Sequence, residues 1–138
     1  MKKTFVLVGL FVCIITVGAQ AQTKSVQTSN SPTSIGMVLY SNDTEALWNA
    51  FRLANFSLKQ GDTVNVFLLG KGVDLDALAA TAENLKEQVE SFQSSGGVIL
   101  ACGTCLQSRN NANPKLCSVS TMGELYDMIR KSSLVLTF

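Results

Sequence analysis

Histidine is absent from the 138-residue chain. That absence removes Ser-His-Asp and Cys-His catalysis, imidazole acid-base chemistry and histidine metal ligation from what one chain can do. Charge is sparse and nearly balanced, with 11 Lys and Arg against 10 Asp and Glu. Such a balance leaves no electrostatic footprint for nucleic acid or for an anionic membrane surface, so neither is an expected partner. A phosphate loop is also missing, since Gly70-Lys71-Gly72 lacks the Walker spacing and the following Ser or Thr. No internal repeat is visible. Structural zinc wants four ligands, which three cysteines beyond the N-terminal segment and no histidine do not supply, so no metal or other cofactor is expected.

The N-terminus carries an address. Lys2 and Lys3 make a basic start, Phe5 to Val17 is an apolar run, and Ala19-Gln20-Ala21 fits a small-residue cleavage site, so residues 1–21 read as a secretory signal. The run is shorter than the roughly 20 residues a bilayer crossing needs. Cleavage near Ala21 leaves 117 residues, nine basic and ten acidic, as an exported, periplasmic chain free of the membrane. Residues 22–34 are mostly Ser, Thr, Gln and Asn, with one proline, one lysine and one valine, too polar to pack, and read as a flexible leader to a single domain at 35–138.

Within that domain, strand and helix patterns alternate. Ile35 to Tyr40 is a short strand, and Ser41-Asn42-Asp43-Thr44 offers helix caps. Leu47, Ala50, Phe51, Ala54 and Leu58 then recur at helical spacing up to Gly61. Thr63 to Leu69 predicts a strand closed by the Gly70-Lys71-Gly72 turn. Ala77 to Ala82 is helix-prone but weakly patterned, whereas Leu85, Val89 and Phe92 mark a helix over 83–94. Val98 to Ala101 predicts a third strand, and Leu106 to Arg109 a helical turn before the polar loop Asn110 to Pro114. A short strand is expected near Leu116 to Val119. Thr121-Met122-Gly123-Glu124 has capping-box spacing ahead of a last helix with Leu125, Met128 and Ile129 facing inward, and Leu134 to Phe138 ends the chain as a strand. Trp48 and Phe51 read as core or subunit contact. The alternation predicts an α/β fold with a mostly parallel sheet and helices on both faces.

In such sheets reactive groups collect at the carboxyl ends of strands, where Ser41 to Thr44 and Cys102-Gly103-Thr104-Cys105 both fall. A thiol at a helix start feels unpaired amides, which stabilise thiolate, so Cys102 can be a nucleophile without an imidazole base. Cys105, three residues on, is within reach for a disulfide or a resolving step. A structural disulfide, or a cysteine that merely packs in the core, is the plain alternative. Cys117 reads by default as buried filler, with a third thiol of the site or a partner for one of the other two as the alternatives. Arg109 could steady an anionic sulfur, and Asn42, Asp43 and Thr44 could line the site, though a surface charge and helix capping explain them equally.

The run Val98-Ile99-Leu100-Ala101-Cys102-Gly103-Thr104-Cys105, Arg109 downstream, and the ending Leu134-Val135-Leu136-Thr137-Phe138 resemble the DsrE/DsrF-like family, especially its YchN-like members. The resemblance spans Ile35 to Phe138. It implies a largely parallel sheet of five strands between helices and a homo-oligomer, trimer or hexamer. It also implies a cysteine, matched here by Cys102, that accepts sulfane sulfur as a persulfide from a donor protein and passes it to an acceptor. The export signal separates this chain from the cytoplasmic tRNA-thiolation relay of that family. A persulfide carrier or sulfurtransferase using Cys102 is therefore the leading expectation. A thiol–disulfide module using Cys102 and Cys105 follows, and a non-catalytic oligomeric binding domain comes third.

Overall fold

The computed structural model describes residues 31–138. The signal at residues 1–21, and residues 22–30 of the leader, lie outside the described residues. Five strands, β1 (Ser34–Leu39), β2 (Thr63–Leu68), β3 (Val98–Cys102), β4 (Ser118–Ser120) and β5 (Leu134–Thr137), form one sheet in the order β4-β3-β2-β1-β5, with every pairing parallel. The helices are α1 (Thr44–Lys59), α2 (Leu75–Thr81), α3 (Glu83–Ser94), α4 (Gly103–Ser108) and α5 (Met122–Lys131). The expected α/β architecture is the one observed, and the sheet is parallel throughout. No helix among the described residues is long and apolar enough to cross a membrane.

Strand alternation splits the core in two. Ile35, Met37 and Leu39 of β1, Val64, Val66 and Leu68 of β2, and Ile99 and Ala101 of β3 pack under α1 and α3 in the larger cluster. There Phe51 and Phe92 meet edge to face with centroids 5.7 Å apart. Val38, Phe67 and Cys102 point the other way and pack with Leu125 and Met128 of α5. Handedness requires this division: β1→β2→β3 steps one way across the sheet, so its right-handed crossovers share a face. The return from β4 to β5 passes back over three strands, and stays right-handed only across the opposite face. Among the described residues one helix alone covers that face, and Ile129, expected to face inward, is 41% exposed on the flank of α5 with no described helix beside it. Phe51 is fully buried, while Trp48 is half-buried with the Arg52 guanidinium 4.4 Å over its ring.

Local differences from the sequence reading have local causes. β1 starts at Ser34, and the Thr33 N–H donates to Asp62 Oδ1 at 2.8 Å, which ties the last leader residues to the start of β2. Gly70–Asp74 is a 3-10 turn rather than a simple reversal. Gly70 adopts a left-handed φ of 56°, and a Cβ on Gly72 would run into the backbone carbonyl of Leu39. β4 is delayed to Ser118 because Asp76 takes the N–H groups of Lys115 and Leu116, at 2.7 and 3.0 Å, out of any ladder. The turn's approach to β1 gives a direct test. Gly72→Ala is expected to destabilise the chain by about 2 kcal/mol, read as a lower urea midpoint, and an unchanged midpoint would refute the close packing.

Candidate functional site

After β3 the chain turns into α4, whose Leu106 packs in the larger cluster; after β4 it turns into α5 on the opposite face. Adjacent strands whose carboxyl ends lead to opposite faces leave a crevice between them. A crevice of about 500 Å³ lies there, lined by Leu69, Cys102, Gly103, Thr104, Cys105, Val119, Ser120, Thr121 and Met122. Cys102 is the last residue of β3 and the N-cap of α4, and its Sγ accepts the Cys105 N–H at 3.3 Å. This cap explains why α4 begins at Gly103, ahead of the turn expected at Leu106 to Arg109. Cys105 Sγ in turn accepts the Gly70 N–H at 3.3 Å, which links α4 to the 3-10 turn after β2. A Cβ on Gly103 would lie 3.2 Å from Val119 Cγ1, so the missing side chain lets α4 start hard against β4.

The far wall is held by the capping box at the start of α5. The buried Ser120 hydroxyl donates to Glu124 Oε2 at 2.7 Å, the Thr121 N–H donates to the same oxygen at 3.0 Å, and the Glu124 N–H donates to Thr121 Oγ1 at 3.3 Å. The hydrogen bond from Ser120, then that from the Thr121 backbone, holds the Glu124 carboxyl below the usual range. The stabilisation this gives the wall is therefore present at neutral pH and is lost as pH falls through the depressed value.

Of the residues singled out in the sequence, the crevice gathers Cys102, Gly103, Thr104 and Cys105. It does not gather Asn42, Asp43 and Thr44, which follow β1, two positions from β3 in the sheet order; Asp43 is occupied as the α1 cap, accepting the Ala46 N–H at 2.7 Å. Nor does it gather Arg109. The six residues of α4 carry that side chain to the far end, where its Nε lies 3.3 Å from Asp74 Oδ1, both groups half-buried. Leu69, Gly70, Val119, Ser120, Thr121 and Met122 were not expected at the site. They come from the ends of β2 and β4, and strand order was the signal that would have found them. Cys117 packs against the larger cluster, away from the crevice. Among the described residues no group of three or more His, Cys, Asp or Glu is arranged to hold a metal.

The family model described as the DsrE/DsrF-like family matches residues 34–138. An uncharacterised protein, MJ0989, of Methanocaldococcus jannaschii is 28% identical over 100 residues, covering 68% of this chain and 88% of its own. The crystal structure of the ychN protein of E. coli superposes with a TM-score of 0.66 at 20% identity, over 78% of this chain and all of that one. BT1422 of Bacteroides thetaiotaomicron, a conserved protein of unknown function, gives 0.63 at 19% identity over 77% and 95%. The two solved structures share the fold of this chain.

Burial pushes the Cys102 thiol above its ordinary value, and the side-chain hydrogen bond with Cys105 adds to this. The backbone N–H of Cys105, then that of Thr104, pulls the other way. The amide effect expected at a helix start is present, but burial outweighs it. Cys117 is pushed up to about 11, by burial first and by the Asp76 charge second. Iodoacetamide labelling of the native chain, followed by peptide mass mapping, should therefore modify Cys102 slowly at neutral pH. Its rate should still climb past the ordinary thiol value of about 8.5; a plateau below pH 8 would refute burial as the dominant effect.

Proposed function

The chain belongs to the DsrE/DsrF-like family, a family associated with sulfur relay, and from that premise we propose that it is an exported sulfur carrier whose Cys102 accepts sulfane sulfur as a persulfide. One observation carries the reading: Cys102 ends β3 at the fork between α4 and α5 and borders an open crevice of about 500 Å³. The thiolate attacks the outer sulfur of a donor persulfide. The donor's S–S bond breaks, its thiol sulfur leaves with the electron pair and takes up the proton that Cys102 gave up, and no net oxidation occurs. Support for a base-free route comes from the backbone, because the Cys105 N–H already points at the reacting sulfur. A thiol–disulfide module is the second reading, favoured by the same contact, which sets both cysteines on one helical turn.

Self-association as a homo-oligomer, trimer or hexamer, is part of the proposal. Met122, Tyr126 and Ile129 recur at i, i+4 and i+7 along one side of α5, and all three are exposed, which supports an apolar contact between copies. Light scattering is expected to give the mass of a trimer or hexamer, reduced in Tyr126→Glu; a monomeric wild type would overturn this part. For the site, the chain is mixed with excess glutathione persulfide, quenched early in acid and weighed intact. A gain of about 32 Da, one sulfur atom, is expected and is lost in Cys102→Ser. A gain that survives Cys102→Ser would move the acceptor elsewhere.

A further inference from the structure

We infer that Cys105 is a resolving thiol: it attacks the inner sulfur of a Cys102 persulfide, releases hydrosulfide and closes a Cys102–Cys105 disulfide. The inference rests on Cys102 as the sulfur acceptor and adds an activity to it, the reduction of sulfane sulfur to sulfide.

The two thiols border one crevice but are held differently. Cys102 is 6% exposed, ends β3 and packs on the α5 side of the sheet. Cys105 is half-buried, lies one helical turn on, and touches both apolar clusters. Its sulfur accepts the Gly70 N–H at 3.3 Å, which ties it to the turn after β2 and sets its direction beside the crevice. The Cys105 amide is in turn 3.3 Å from Cys102 Sγ, so one helical turn fixes the pair with respect to each other. A disulfide needs Cα atoms about 4.4–6.8 Å apart, and helix geometry sets Cα atoms three residues apart about 5 Å from each other. Cys117 cannot take this part, since it lies outside the crevice and its thiol is pushed up to about 11.

The step balances without a co-reactant. A Cys105 thiolate forms a bond to Cys102 Sγ, the bond from that sulfur to the outer one breaks, and the outer sulfur leaves with the electron pair as hydrosulfide. The sulfane sulfur gains two electrons as two thiols become one disulfide. A second turnover needs a dithiol reductant to reopen that disulfide. No step calls for an imidazole, because the nucleophile is a thiolate and the leaving group is a sulfur anion.

The test uses the full reduced chain, free of oxygen and added thiols, mixed with one equivalent of glutathione persulfide. Hydrosulfide is counted while intact mass is followed to completion. The expected result is close to one hydrosulfide per chain and a product about 2 Da lighter than the reduced chain, with Cys102 and Cys105 joined in its peptide map. Cys105→Ser is expected to keep the gain of about 32 Da while lowering hydrosulfide release about tenfold or more. Cys117→Ser should change neither. The wild-type mass and peptide map need no variant to fold. A wild-type chain that stays about 32 Da heavier and releases no hydrosulfide overturns the resolving role and leaves the carrier intact. A chain that neither gains sulfur nor releases hydrosulfide overturns both, and wild-type release by Cys105→Ser assigns the step to another group.

Discussion

The right-handed crossover governs this molecule more than any single contact. Four consecutive strands, β1 to β4, step across the sheet in one direction, so α1, α3 and α4 share a face, and the right-handed return to β5 takes α5 over the other. That return opens the fork at the carboxyl ends of β3 and β4. Alternation along β3 then decides which side chain stands in it: Ile99 and Ala101 go to the larger cluster, and Cys102 is turned toward α5 while α4 leaves in the opposite direction. Topology and pleat together set the thiol in the angle between two diverging helices.

Any chemistry at that position would have to work without an imidazole from this chain, and backbone amides supply the polar contacts to the two sulfurs. The Cys105 N–H serves Cys102, and the Gly70 N–H serves Cys105. Burial works against them, raising the Cys102 thiol. The result is a sulfur that is sheltered and oriented yet not strongly ionised, facing a wall that the Ser120, Thr121 and Glu124 hydrogen bonds keep rigid. A site built this way has its geometry prepared in advance and leaves the charge to arrive with the reaction.

Much of the fold was legible because its signals are local. The stripe of Leu85, Val89 and Phe92 gave α3 its observed bounds, Glu83–Ser94, and the Thr121 to Glu124 spacing was a true capping box. Expectation failed where a distant partner decides the outcome. Asp76 reaches across 39 residues to Lys115 and so delays β4, and Asp74 draws Arg109 away from the cysteines. Ile129 carries the same apolar pattern as Leu125, but among the described residues no second helix lies beside it on that face. Asn42, Asp43 and Thr44 sat at the right edge of the sheet, yet two strands from the thiol.

The sequence by itself determined the element types, the position of the cysteine pair Cys102 and Cys105, and the exclusion of histidine chemistry within one chain, because periodicity, caps and composition are properties of neighbours along the chain. Only the tertiary structure decided which strand ends meet. It brought Leu69, Gly70, Val119, Ser120, Thr121 and Met122 around the thiols, sent Arg109 elsewhere and set the balance of burial against amides at Cys102. Strand order and crossover hand bring together groups far apart in sequence, and desolvation depends on everything packed around a group, so neither can be read from one segment alone.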